Sequence, residues 1–196
     1  MERHVDGREI VEVPDRAAWR GWLAERHEQR AAIWLVLHKR SSDGTSPSYD
    51  EAVEEALCFG WIDSTVNRLD ERRSLQLFAP RKPRSTWSAS NKERVARLER
   101  DGLLAPAGVA AVAVAKENGS WSARDAVERL EEPPDLAAAL DGDAAARESW
   151  NSFSPSARKG ILWWVVSAKR PETRARRIDQ AVRMAAKGLR AQFDHE

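Results

Sequence analysis

The chain has 196 residues, 42% hydrophobic and 32% charged, with 32 Lys and Arg against 31 Asp and Glu for a formal net charge of +1. Nine Trp and four Phe supply enough apolar mass to bury roughly 70% of the unfolded surface, which excludes a disordered tail, and the length suits one domain or two. The single cysteine, Cys58, excludes a disulfide framework and a Cys-rich zinc site and suits a reducing compartment. No apolar run approaches the roughly 18 residues of a membrane span, and the charged first residues do not read as a signal peptide, so the expected location is cytoplasmic.

In chain order, Glu9 to Val13 reads as a short strand. Pro14-Asp15 then opens a helix to about Gln29, with Asp15 as N-cap and Trp19, Trp22 and Leu23 on one face. Ile33-Trp34-Leu35-Val36-Leu37 is a continuous run of strand formers, the signature of a central strand covered on both faces. A loop over Ser41 to Pro47 leads to Ser48 and Glu51, a capping box for a helix to about Phe59. Its buried stripe is Tyr49, Ala52, Val53, Ala56 and Leu57, and Gly60 ends it. Trp61 to Leu69, the polar turn Asp70 to Arg73, and Ser74 to Phe78 predict a β-hairpin.

Pro80, just before it, and Pro83 within it make Arg81 to Trp87 neither regular helix nor central strand. Beyond this basic linker the pattern is helical. Ser90, with Glu93 three residues on, caps a helix to Asp101-Gly102, and Pro106 opens another to about Glu117. Glu131 to Pro134 reads as a second linker before short Ala-rich helices over Asp135 to Trp150. Pro155 begins a helix to about Lys169, apolar almost all round, and Pro171 starts the last, to about Lys187. In that last helix Ile178, Ala181, Val182, Ala185 and Leu189 face inward, while Arg176, Gln180, Arg183, Lys187 and Arg190 make a basic outer stripe. Arg174 falls on the inner side, where an unpaired charge is costly and must find a carboxylate, carbonyls or an anion. The expected fold is α+β: a small N-terminal mixed sheet with packed helices (residues 1–80), the linker 81–89, and an all-helical region 90–196.

Charge is uneven. Arg81 to Arg100 holds seven basic and two acidic residues, Arg124 to Glu148 three and eight, and Arg158 to Arg190 ten and two. These blocks either compensate one another within the molecule or meet an external anion.

Some of these residues also carry a resemblance. Glu55 to Asp63, Phe78 to Ser88 with Asn91-Lys92, Ser154 to Arg158, and Ser167 to Ile178 resemble the bacterial YdeI/OmpD-associated family, most strongly from 135 to 190. The resemblance implies a bacteriocin-protection or outer-membrane-protein-associated context, with no catalytic residue or cofactor to carry over.

Chemistry must therefore be sought in the residues. Cys58 lies at a helix C-terminus after Glu51, Glu54 and Glu55, which disfavours a thiolate, so it reads as a core residue. His4, His27, His38 and His195 show no metal-ligand spacing, and no phosphate loop or nucleophile elbow is present; no metal and no cofactor is expected. The better candidate is a ligand site where the halves meet, formed by Trp61, Asp63, Arg81, Lys82, Arg84, Trp87, Asn91, Lys169, Arg170 and Arg174. Cations beside indoles suit a small anionic or aromatic molecule. The competing reading is an internal clamp, in which Asp63 and neighbouring acids pair with these arginines. Three functions follow: binding in a protection or stress role without turnover, an enzyme using Asp63 as acid or base with the arginines stabilising charge, or a nucleic-acid or regulatory partner using the basic linker and last helix. The oligomeric state is open.

Overall fold

The computed structural model describes residues 4–39 and 44–194; part of the expected 41–47 loop and His195 lie outside them. The chain forms two compact units, residues 1–122 and 123–196. Whereas the sequence suggests a linker at 81–89, the helices that follow it belong to the first unit, packing on its second helix.

The first unit comprises β1 (His4–Val5), β2 (Arg8–Val11), α1 (Arg16–Arg26), β3 (Ile33–His38), α2 (Tyr49–Cys58), β4 (Trp61–Arg68), β5 (Arg73–Pro80), α3 (Ala89–Arg100) and α4 (Pro106–Glu117). The sheet order is β1-β2-β3-β5-β4. β2 runs parallel to β3, and the other pairs are antiparallel. β3 is therefore central, and alternation sends its side chains into two layers. Ile33, Leu35 and Leu37 join Trp19 and Leu23 of α1 and Ala52, Val53, Ala56 and Leu57 of α2 in the main core. Trp34, Val36 and Leu75 form a second cluster with Val5, Ile10, Leu69 and Leu77.

Caps set the helix ends. Asp15 accepts from Ala18 N at 2.8 Å, and Ser48 and Glu51 complete the expected capping box. Tyr49 differs from expectation: at the first helical position it is 47% exposed, outside the buried stripe. α3 is capped by Ser88, whose extended backbone lets its hydroxyl accept from Asn91 N, so the helix starts two residues before the Ser90–Glu93 pair would place it. The register of β4 on β5 shifts between Asp63 and Val66, and the buried Gln76 amide donates to the Ser64 and Thr65 carbonyls at 3.3 and 3.4 Å.

α4 sits very close to the end of α2. Ala105 N donates to Cys58 O at 3.0 Å, and a Cβ at Gly108 would lie 2.3 Å from the same oxygen. Only glycine permits that approach. Gly60, at φ +74°, turns the chain from α2 into β4 and offers its carbonyl to Arg81 N at 2.9 Å.

The second unit is helical: α5 (Asp125–Glu128), α6 (Pro134–Asp141), α7 (Ala144–Ser152), α8 (Pro155–Val166) and α9 (Pro171–Ala186). Leu136, Leu140, Trp150, Ile161, Leu162, Val165, Ile178, Ala181 and Met184 make its core. α8 is not buried all round as its composition suggests. Trp163 and Trp164 are only half-buried, and guanidinium groups cover them, Arg124 at 4.8 Å from the Trp163 ring and Arg177 at 5.3 Å from that of Trp164.

Candidate functional site

The segment after β5 curls around its first side chain. The Arg81 guanidinium donates through Nη1 to the carbonyls of Ser85 (3.4 Å) and Thr86 (3.0 Å), and Ser85 N donates to Lys82 O at 2.9 Å. The loop after α4 holds the segment from outside, since Asn118 Nδ2 and Ser120 Oγ both donate to Pro83 O, at 2.8 and 3.2 Å. Pro83 brings no N–H of its own, and the carbonyls of Pro83, Ser85 and Thr86 accept from side chains.

This curl brings the guanidinium carbon of Arg81 to 3.6 Å from the ring centroid of Trp87, a close cation–π stack. Trp87 is 1% exposed, and its ring lies 5.0 Å from that of Trp121. The Lys92 and Lys116 ammonium groups each stand 5.4 Å from the Trp121 ring, so two indoles are flanked by three cations. Against them is a cavity of about 190 Å³ lined by Arg81, Lys82, Pro83 and Trp87 and by Ala110, Ala111 and Val114 of α4.

Its donors are unspent. Nε and Nη2 of Arg81 and Nε1 of Trp87 are shielded from solvent and have no hydrogen-bond partner among the described residues. No carboxylate of those residues forms an ion pair with Arg81. Burial therefore pushes the Arg81 pKa down to about 10, only partly opposed by the charge of Asp63. Buried polar groups are nearly always paired, and an exception calls for an explanation.

Of the residues expected to form one site, Arg81, Lys82 and Trp87 line this cavity. Arg84 belongs to the same segment and is exposed. Trp61 is buried in the core and its indole donates to His27 O at 2.9 Å. Asp63, the residue an acid–base mechanism would use, accepts from the Tyr49 hydroxyl at 2.7 Å, and burial together with that carboxylate pushes the Tyr49 pKa up to about 12. Asn91 lies in the first turn of α3, its side-chain oxygen accepting from Arg94 at 3.2 Å. Lys169 and Arg170 are exposed between α8 and α9. Arg174 has the carboxylate its position demands: Nε and Nη2 donate to Asp135 at 2.6 and 2.8 Å, and that pairing holds the Asp135 carboxyl below its usual range.

Of the expected basic stripe, Arg183 in α9 pairs with Asp179 at 3.1 Å, and Arg190, beyond the end of the helix at Ala186, pairs with Asp194 at 2.7 Å. Burial, reinforced by Glu55, pushes the Cys58 thiol up, the inert state its context predicts. Among the described residues no group of three or more His, Cys, Asp or Glu could hold a metal ion, and no helix is long and apolar enough to cross a membrane. A larger cavity, about 770 Å³, is lined by residues 37–39 and 44–51 on either side of the undescribed residues 40–43.

Two features escaped the sequence. The α4 wall consists of small residues with no chemical signature. Glu132, read as linker, is the hub of the second unit: it accepts from Arg147 Nη1 (2.8 Å), Arg158 Nη2 (3.1 Å) and Trp150 Nε1 (2.7 Å). Burial alone would raise its pKa, but the donors from Arg147 and Trp150 outweigh it and the net shift is downward.

The family described as Domain of unknown function (DUF8412) matches residues 11–111, half of the chain. The chain belongs to this family. The DUF8412 match spans β3, the hairpin and the Arg81–Trp87 segment, and so includes the motifs at 55–63 and 78–92. Residues 129–188 match the family described as Bacteriocin-protection, YdeI or OmpD-Associated, so the resemblance seen in the sequence is shown for the second unit. No curated protein and no solved structure matches.

Proposed function

We propose that the DUF8412 unit binds a small anion in the Arg81–Trp87 cavity and holds it without turnover. The observation that carries this reading is the set of three buried, unpartnered N–H donor groups on Arg81 and Trp87 beside that cavity. A buried guanidinium with no counterion is costly, and an anionic ligand supplies the missing partner. The lining of Arg, Lys, Pro, Trp, Ala and Val contains no carboxylate, imidazole, thiol or hydroxyl side chain, and its one amine, on Lys82, is exposed, which favours binding over turnover. Binding alone is enough for a role of the kind named in the description of the second unit's family, bacteriocin protection, and the ligand-handling residues expected from sequence reduce here to Arg81, Lys82 and Trp87.

The test is a thermal-shift titration of the intact chain with acetate, sulfate and inorganic phosphate, beside Arg81→Met. A saturable rise in the unfolding midpoint is expected for at least one anion, lost in the variant. A chain indifferent to all three, or a rise that persists in Arg81→Met, overturns the reading.

A further inference from the structure

The second unit contains a filled version of the arrangement that stands open in the first. Arg158 lies over the Trp150 ring at 5.3 Å, as Arg81 lies over Trp87. There, one carboxylate oxygen of Glu132 accepts from both members of the stack, Arg158 Nη2 and Trp150 Nε1, while Arg158 Nε keeps no partner among the described residues. At Arg81 and Trp87 the equivalent donors are unpaired. The free edge of Arg81 is the one formed by Nε and Nη2, whose N–H groups point the same way and match the two oxygens of a carboxylate. The same edge takes a carboxylate at Arg174 with Asp135 and at Arg190 with Asp194.

We infer that the ligand of this cavity is a small monocarboxylate, its carboxylate on the Nε/Nη2 edge of Arg81 and the Trp87 indole N–H, and its apolar body against Ala110, Ala111 and Val114. This rests on the anion-binding reading above and narrows it. A phosphate dianion fits the lining less well: one guanidinium edge, one indole N–H and the exposed Lys82 are few donors for four oxygens, and the remaining wall is apolar. About 190 Å³ accommodates a short aliphatic chain or a single ring, since roughly 150 Å³ suffices for benzene. The N–H groups are shielded from solvent, so a ligand reaches them only as the guanidinium, held by hydrogen bonds to two backbone carbonyls, turns toward the cavity.

Isothermal titration calorimetry on the intact chain, with benzoate, propionate and inorganic phosphate at about 0.15 M salt to screen surface charge, tests this. Benzoate or propionate is expected to bind saturably and about tenfold or more tighter than phosphate. Arg81→Lys, which keeps the charge but loses the parallel donors, should weaken the carboxylate by about tenfold. Ala110→Leu, a change on an exposed helix position that narrows the cavity, should weaken benzoate more than propionate without disturbing the fold. Phosphate binding as tight as both carboxylates would overturn the carboxylate assignment and leave the anion site standing. Silence toward all three anions would remove both readings. Carboxylate binding undiminished in both Arg81→Lys and Ala110→Leu would place the ligand elsewhere and overturn the assignment.

Discussion

Each unit stacks an arginine on a tryptophan, and the two stacks differ in what faces them. Around Trp150, Glu132 gathers Arg147, Arg158 and the indole N–H, and Asp141 on Arg147 balances the second guanidinium, in a cluster that ties the start of α6 to α7 and α8. Around Trp87, the guanidinium spends one nitrogen on backbone carbonyls and leaves the rest unpaired. The stacked pair is the same in the two places, and a carboxylate within hydrogen-bond reach of it is present only at Trp150 among the described residues.

The largest effect that could break this comparison comes from Glu132→Ala. It strands the part-buried Arg158 guanidinium and the Trp150 indole, while Arg147 keeps Asp141 and the Ala137 carbonyl, and should lower stability by about 3 kcal/mol, read by urea unfolding. If Glu132 is the counterpart of a ligand, acetate should recover part of that loss. Gly108→Ala comes next, at about 1–3 kcal/mol, because the added methyl would meet the Cys58 carbonyl at 2.3 Å and neither backbone can yield easily; it should also disturb anion binding by shifting α4. Replacing Arg174 by Met removes a half-exposed pair and should cost about 1 kcal/mol or less. Arg81→Met should cost still less while abolishing binding, since removal of a buried charge with no carboxylate partner offsets the loss of two carbonyl hydrogen bonds and the stack on Trp87. A loss for Arg81→Met larger than that for Arg174→Met would mean that Arg81, too, is structural.

Acid should sharpen the contrast from the other side. The Glu132 carboxyl is held below its ordinary 4.5, so the unfolded chain takes up its proton first as pH falls. Its contribution is complete above that value and is lost on descending through the lower native pKa. Glu132→Gln should therefore flatten part of the pH dependence of unfolding below about 4.5, seen as a smaller drop in midpoint between neutral and acid than in the parent chain.

Much of this architecture was legible because short-range chemistry dictates it. Pro106 and Glu117 bound α4 where the sequence puts them, the run at Ile33 is the sheet centre, and Ser48 with Glu51 caps α2. The misses are tertiary. Tyr49 obeys helical spacing but sits in a first turn turned toward Asp63 rather than toward the core. Ser88 outcompetes Ser90 as a cap because the chain is still extended there. Glu132 looks like a linker residue between prolines and acids, and only the packing of α7 and α8 brings its three donors to it. Arg81, Lys82 and Trp87 could be read from the proline-bearing segment, whereas Ala110, Ala111 and Val114 could not, because small residues on a helix face carry no sign of what they wall.

The Gln76 amide has a consequence for how copies of the chain behave in a crowded solution. β4 ends the sheet, and an unpaired outer strand offers a row of main-chain groups to any neighbour. By drawing the Ser64 and Thr65 carbonyls onto an interior side chain, Gln76 holds β4 in a bend that a straight incoming strand cannot follow. A bend of this kind opposes the edge-to-edge pairing from which fibril-like growth starts.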